Sequence, residues 1–239
     1  DLGHLLNETG PDRGTLSYSY DSAGNLTAQT DARGITATYT YDALQRPTFI
    51  DYPGMAEDIT YTYDTGADCT YGTGRLCQVQ DQSGLTQYAY DPYGNITQET
   101  HTELGITYTA RYSYDAGDRV SAITYPSGRQ VSYQRDALGR VSAVRATLNG
   151  QVMTLATNRT YRADGLLTAQ TFGNGLAETR RYDLQGRLTR QSLGTLDTRA
   201  YTYDPAGNVT AKQGPGAATY TYDALHRFTE DASRGAAYG

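Results

Sequence analysis

The dipeptide Tyr-Asp constrains this chain more than any other feature. It recurs at Tyr20-Asp21, Tyr41-Asp42, Tyr63-Asp64, Tyr90-Asp91, Tyr114-Asp115, Tyr182-Asp183, Tyr203-Asp204 and Tyr222-Asp223. Degenerate copies are read at Arg135-Asp136 and Ala163-Asp164. Steps between successive aspartates are 19 to 28 residues. A self-similar period of that length marks one supersecondary unit stacked many times.

Each copy has the same internal grammar. Alternating tyrosines precede the aspartate, as Tyr18/Tyr20, Tyr39/Tyr41, Tyr61/Tyr63, Tyr88/Tyr90, Tyr112/Tyr114, Tyr201/Tyr203 and Tyr220/Tyr222. A period of two places both rings on one face of a strand. A glycine often follows three places after the aspartate, at Gly24, Gly94, Gly139, Gly186 and Gly207. Gln45, Asp118 and His226 stand there in other copies. Asn or Arg comes next, then an apolar residue with Thr or Ser, as in Leu26-Thr27 and Val209-Thr210. An aspartate accepts backbone N–H groups two residues on, and glycine supplies positive φ without a steric cost, so Asp-x-x-Gly is a turn. A second turn follows each returning strand, for example Asp31-Ala32-Arg33-Gly34 and Asp81-Gln82-Ser83-Gly84. One repeat is therefore two strands and two turns. The expected fold is all-β: tandem antiparallel hairpins in a long meander, with no useful helical period.

Composition agrees. The 239 residues include 23 Tyr, 26 Gly, 3 Phe and no Trp. Amphipathic rings suit a half-buried pleated surface, and disordered chains lack them. The formal charge is -6 and the basic residues are scattered, so no phosphate-tracking stripe points to nucleic acid. No apolar run of about 18 residues is present, so no membrane span is expected. No signal-peptide pattern follows Asp1, so any export signal is expected to lie outside the chain.

The recurring Tyr-x-Tyr-Asp-x-x-Gly-Asn/Arg-apolar-Thr motif resembles the RHS/YD-repeat family, from about Tyr18 to Phe228. That family includes bacterial Rhs polymorphic toxins, the C components of insecticidal toxin complexes and the teneurins. The resemblance implies a strip of sheet that spirals into a hollow β-shell, which in bacterial members encloses a toxic C-terminal domain. On this reading residues 1–239 are one array of about ten repeats, degenerate near 133–170, and neither end looks like a cap. Roughly twenty strands about 4.8 Å apart give a strip of about 95 Å. An enclosed domain of about 150 residues is about 40 Å across, so the chain is expected to be an internal fragment of a larger wall. Bacterial members often end the shell with an Asp-Pro cleavage segment. Asp91-Pro92 and Asp204-Pro205 instead read as ordinary repeat turns.

Candidate sites are few. Cys69 and Cys77 bracket an enlarged turn after Asp64. They are either a disulfide that staples a long loop or two free thiols, and the bonded form is expected, as in the Cys-bearing insertions of bacterial family members. The turn aspartates Asp21, Asp42, Asp64, Asp91, Asp115, Asp136, Asp183, Asp204 and Asp223 are read as structural rather than as calcium ligands, because each loop offers one carboxylate. The tyrosine ladder is read as same-face packing, with sugar stacking as the alternative. His4, His101 and His226 are far apart in sequence, and Glu57-Asp58 has no acid–base spacing. No catalytic residue, metal or cofactor is expected. The expected role is a structural segment of a large secreted or cell-surface protein, probing no substrate itself. Its expected partners are the rest of its own shell and an enclosed C-terminal domain. A cell-surface glycan- or protein-binding module and an extracellular fibre subunit are the alternatives.

Overall fold

A computed structural model of the chain describes residues 3–54, 57–231 and 236–237. Every described element is a strand or a turn. The chain divides at Ser127 into two units, Asp1–Ser127 and Gly128–Gly239.

The first unit holds β1 (Asn7–Gly10), β2 (Gly14–Tyr20), β3 (Leu26–Thr30), β4 (Thr36–Tyr41), β5 (Pro47–Asp51) and β6 (Ile59–Tyr63). It continues with β7 (Leu76–Asp81), β8 (Gly84–Tyr90), β9 (Ile96–Glu103), β10 (Ile106–Tyr114) and β11 (Val120–Thr124). Each strand pairs antiparallel with the next, so the unit is an uninterrupted meander.

The second unit holds β12 (Gln130–Arg135), β13 (Val141–Leu148), β14 (Gln151–Tyr161), β15 (Leu167–Phe172), β16 (Ala177–Tyr182) and β17 (Leu188–Leu193). Then come β18 (Asp197–Tyr203), β19 (Val209–Gln213), β20 (Ala218–Tyr222), β21 (Phe228–Asp231) and β22 (Ala236–Ala237). It is also a simple antiparallel meander. The all-β antiparallel fold expected from the motif is the one found.

Every Tyr-Asp hairpin has a bulge beside its turn. In the first, Ser19 pairs with Ala28 but Tyr20 pairs with Leu26, leaving Thr27 as the extra residue. The same shift occurs at Tyr41, Tyr63, Tyr90, Tyr114, Tyr161, Tyr182, Tyr203 and Tyr222, and at Arg135 in the copy without a second tyrosine. A three-residue loop that ends in a left-handed residue and a bulge matches the right-handed twist of flanking strands. The left-handed residue is Gly24 at φ 89, and equally Gln45, Asp118 and His226 at φ 62, 56 and 61.

The repeat read at Ala163-Asp164 is placed differently by the structure. Its turn opens at Arg162, whose N–H donates to Leu166 O at 2.9 Å while Gly165 N–H donates to Arg162 O at 3.0 Å. Tyr161-Arg162 is thus the Tyr-Asp position, and Asp164 lies inside the loop. The closing hydrogen bonds are backbone bonds, so they follow the spacing from tyrosine to glycine and not the aspartate side chain.

The buried apolar residues are small. Ala37, Ala89, Ala143, Ala146, Ala156, Ala218 and Cys77 are buried, with Tyr90 the one large side chain among them. Most tyrosines are half-buried.

Candidate functional site

The repeated turn edge is where this chain concentrates its chemistry. At Asp183, Oδ1 accepts Gln185 N–H at 3.0 Å and Arg187 N–H at 2.9 Å, while Oδ2 accepts Arg187 Nε–H at 2.6 Å. Gly186 N–H donates to Asp183 O, and Asp183 N–H donates to Arg187 O. The same backbone pair closes the turns at Asp21, Asp42, Asp91, Asp115, Asp136, Asp204 and Asp223. Each carboxylate is consumed by its own loop, and no three His, Cys, Asp or Glu side chains among the described residues form a metal-holding group.

These bonds stabilise the ionised carboxylate. The Asn25, Arg140 and Asn208 side chains hold Asp21, Asp136 and Asp204 below the ordinary carboxylate value. Asp42 and Asp223 are lowered first by the N–H groups of Arg46 and Arg227. Burial pushes Asp91, Asp115 and Asp183 up, but hydrogen bonds outweigh it and the net shift is downward. A carboxyl lowered in the folded state contributes stability that is present above its unfolded value and lost as pH falls through the folded one. The melting temperature is therefore expected to be flat above about pH 5 and to drop steeply below about pH 4. Calorimetry across that range checks it, and a melting temperature unchanged down to about pH 2.5 would contradict the capping role.

A second set of bonds joins successive repeats. The residue after the glycine position reaches from its own aspartate to the next turn. Arg46 binds Asp42 at 2.7 Å and Asp64 at 2.6 Å, and its guanidinium lies 4.3 Å from the Tyr63 ring centre. Arg187 lies over Tyr203 at 4.7 Å and donates to Asp204 O at 3.2 Å. Arg162, at the aspartate position of its own turn, makes a comparable reach: it lies over Tyr182 at 5.8 Å and donates to Asp183 O at 2.9 Å. Asn95 and Asn208 make shorter versions, to Asp118 at 3.2 Å and to the His226 ring at 3.0 Å. The recurrence of Asn or Arg at this position is visible in the sequence, but the reach to the next repeat is not.

The tyrosines make the third set. The tyrosine beside most turns donates its hydroxyl to a carbonyl earlier in the chain: Tyr41 to Leu26 at 2.8 Å, Tyr114 to Ile96 at 2.7 Å, Tyr182 to Leu167 at 2.8 Å and Tyr203 to Leu188 at 2.7 Å. Tyr20, Tyr90, Tyr161 and Tyr222 do the same to Leu5, Leu76, Val141 and Val209. The β3–β4 ladder stops at Ala28↔Thr38, so the phenol bridges strands where backbone pairing has ended. Burial pushes the Tyr41, Tyr90, Tyr114 and Tyr203 phenols up, keeping them as donors. Between paired tyrosines, Thr40, Thr202 and Thr221 bond across the hairpin to Thr48, Thr210 and Thr229. Removing one phenol hydroxyl, Tyr203→Phe, is expected to cost about 1 kcal/mol in urea denaturation, because the Leu188 carbonyl loses its donor. A cost near zero would mean that water replaces the bond.

Cys69 and Cys77 are joined, with sulfurs 2.03 Å apart and Cα atoms 5.5 Å apart. The enlarged loop they close keeps the turn scheme in stretched form: Asp64 N–H donates to Arg75 O at 3.0 Å, and Asp64 Oδ1 accepts Gly74 N–H at 2.5 Å. The loop also clamps the following hairpin, since Tyr90 N–H donates to Thr70 O at 3.1 Å and Thr70 Oγ1 donates to Tyr90 O at 2.9 Å. Closing a loop with a separation of 8 residues removes about 2.5 kcal/mol of unfolded-state entropy. Reduction, or Cys69→Ser with Cys77→Ser, is expected to destabilise the first unit by about that amount. Identical urea midpoints with and without reductant would contradict it.

The remaining candidates stay apart. His4 stacks on Tyr20 at 4.5 Å, and His101 Nδ1 bonds Thr86 Oγ1 at 2.9 Å. Asp58 accepts Tyr52 N–H at 2.9 Å and so holds a turn.

The RHS Repeat family model matches residues 1–36, 20–54 and 114–152, which contain the turns at Asp21, Asp42, Asp115 and Asp136. Residues 1–54 and 114–152 therefore carry RHS repeats. The chain is similar in fold to a solved TcdB2-TccC3 complex, with TM-score 0.85 and 19% identity over 95% of this chain and 14% of that one. A TcdB2-TccC3-Cdc42 structure matches with TM-score 0.83 and 20% identity, over 94% and 13%. A Tc holotoxin pore from Photorhabdus luminescens matches with TM-score 0.82 and 20% identity, over 95% and 13%. The RHS segment thus spans about a seventh of the length of those chains. No curated protein matches it.

Proposed function

We propose that this RHS-repeat segment is a non-catalytic stretch of wall in a longer exported protein, and that the wall encloses a toxic C-terminal domain. The observation that carries the reading is the tie system at the turn edge. Carboxylate caps, Arg or Asn bridges and tyrosine hydroxyls all spend their polar groups inside the array, and what they produce is stiffness between neighbouring hairpins. A stiff, continuous sheet is what a wall needs. The similar fold of TcdB2-TccC3, solved both whole and without a hypervariable C-terminal region, supports the enclosing role.

The test uses the full-length product that contains this segment. Protease treatment under native conditions is expected to spare the C-terminal domain. Combined loss of the ties within this segment, Tyr182→Phe, Tyr203→Phe and Asp204→Ala, is expected to expose it. A C-terminal domain digested equally fast in both proteins would overturn the enclosing role. A hydrolytic or transferase activity abolished by substitution in this segment would overturn the non-catalytic one.

A further inference from the structure

The charge of the chain is unevenly divided. Residues 1–127 hold 6 Lys and Arg against 17 Asp and Glu, a net of -11. Residues 128–239 hold 14 against 9, a net of +5. Six arginines of the second unit pair with carboxylates: Arg140 with Asp136, Arg162 with Asp164, Arg180 with Glu178, Arg187 with Asp183, Arg199 with Asp197 and Arg227 with Asp223.

Arg181 and Arg190 stand together without such a partner. Register sets Arg181 on β16 directly opposite Arg190 on β17, and both are exposed. Neither has a carboxylate partner among the described residues, and Arg190 Nε–H donates only to Ser192 Oγ, at 3.4 Å. Like charges directly opposite on neighbouring strands destabilise a sheet. Next to Arg190 the register places small Ala200, which leaves room above the pair. Two residues along the same face, Thr179 is opposite Ser192, and Ser192 is opposite Thr198. The acids of these strands, Glu178 and Asp197, alternate with Thr179 and Thr198 and so belong to the other face, which carries the tyrosines. The result is a flat, acid-free patch of two guanidinium groups beside a row of hydroxyls.

We propose that this patch is a docking site for a carboxylate-rich segment of a partner protein. Guanidinium groups bind carboxylates through two parallel hydrogen bonds, and neighbouring hydroxyls can complete the oxygen shell. A long polyphosphate fits poorly. Its charge would extend past the pair to a turn edge lined by Asp183 and Asp204. A short acidic segment needs only the local pair. The site lies on the face opposite the tyrosine rings and does not depend on what the wall encloses.

The experiment titrates the intact chain with a hexaglutamate peptide and follows arginine Nε–Hε signals by NMR. Arg181 and Arg190 are expected to shift saturably at low salt, with exposed Arg111 unmoved. The R181Q/R190Q double variant is expected to bind about fivefold more weakly or worse, the order expected for losing two exposed ion pairs. Its melting temperature is expected to hold or rise, because the repulsion is gone. High salt should weaken peptide binding to the unaltered chain, a readout independent of how the variant folds. Three results would overturn the proposal: no saturable shift, equal binding by the double variant, or tighter binding of a hexathymidylate oligonucleotide than of hexaglutamate.

Discussion

Replacing Glu178 by alanine is expected to lower the stability of the second unit by about 3 kcal/mol, because it leaves two amides and a guanidinium without their shared acceptor. Glu178 is 2% exposed. Its carboxylate accepts hydrogen bonds from Gln170 Nε2 and Gln191 Nε2, both at 2.5 Å, and from Arg180 Nε at 2.8 Å. Burial alone would push this carboxyl up. The bonds from Arg180, Gln191 and Gln170 together outweigh burial and hold it below the ordinary glutamate value. Removing the carboxylate leaves buried Gln170 and half-buried Gln191 and Arg180 without their acceptor. Glu178→Gln keeps the volume and one acceptor oxygen, so its cost is expected to be smaller but still above about 1 kcal/mol. Urea denaturation of both variants measures this. An alanine variant within about 0.5 kcal/mol of the unaltered chain would show that the cluster is not coupled to folding.

The second large effect is expected at Gly84. A Cβ built there would overlap the Thr102 carbonyl oxygen and crowd the Glu103 backbone, and the residue sits at φ 126. Neither the carbonyl nor the conformation can give way cheaply. Steric overlap and a backbone region closed to other residues add to about 3 kcal/mol for Gly84→Ala. Gly34 is the control. It also has positive φ, 81, but an added Cβ meets nothing within 4 Å. Gly34→Ala is expected to cost about 1 kcal/mol, the backbone part alone. Similar costs at both positions would mean that the close approach of β8 to β9 carries no energy.

How much of this was legible in the sequence depended on distance along the chain. The turn at Asp183 could be read because every bond that forms it lies within residues 183–187. The strands on either side followed from the alternation of rings. The hydroxyl of Tyr203 and the guanidinium of Arg187 were not legible as ties. Their partners, Leu188 and Asp204, are 15 and 17 residues away and adjacent only after the hairpins stack. Asp164 misled for the opposite reason. It stands where a repeat is due, but the loop closes through Tyr161 and Arg162, and Asp164 merely accepts Leu166 N–H and binds Arg162 from inside. Glu178 carried no signal, because β16 has Arg180 where other repeats have the first tyrosine of the pair.

The phenol bonds all point one way. Each hydroxyl belongs to a later hairpin and each acceptor carbonyl to an earlier one, as from Tyr203 back to Leu188 and from Tyr222 back to Val209. A ribosome delivers the polypeptide in that same order. Every newly emerged hairpin therefore finds its docking carbonyl already laid down, and no finished hairpin waits on unsynthesised residues for its own phenol bond. The array is directional in its construction, and growth from the amino-terminal side can lock each addition as it arrives.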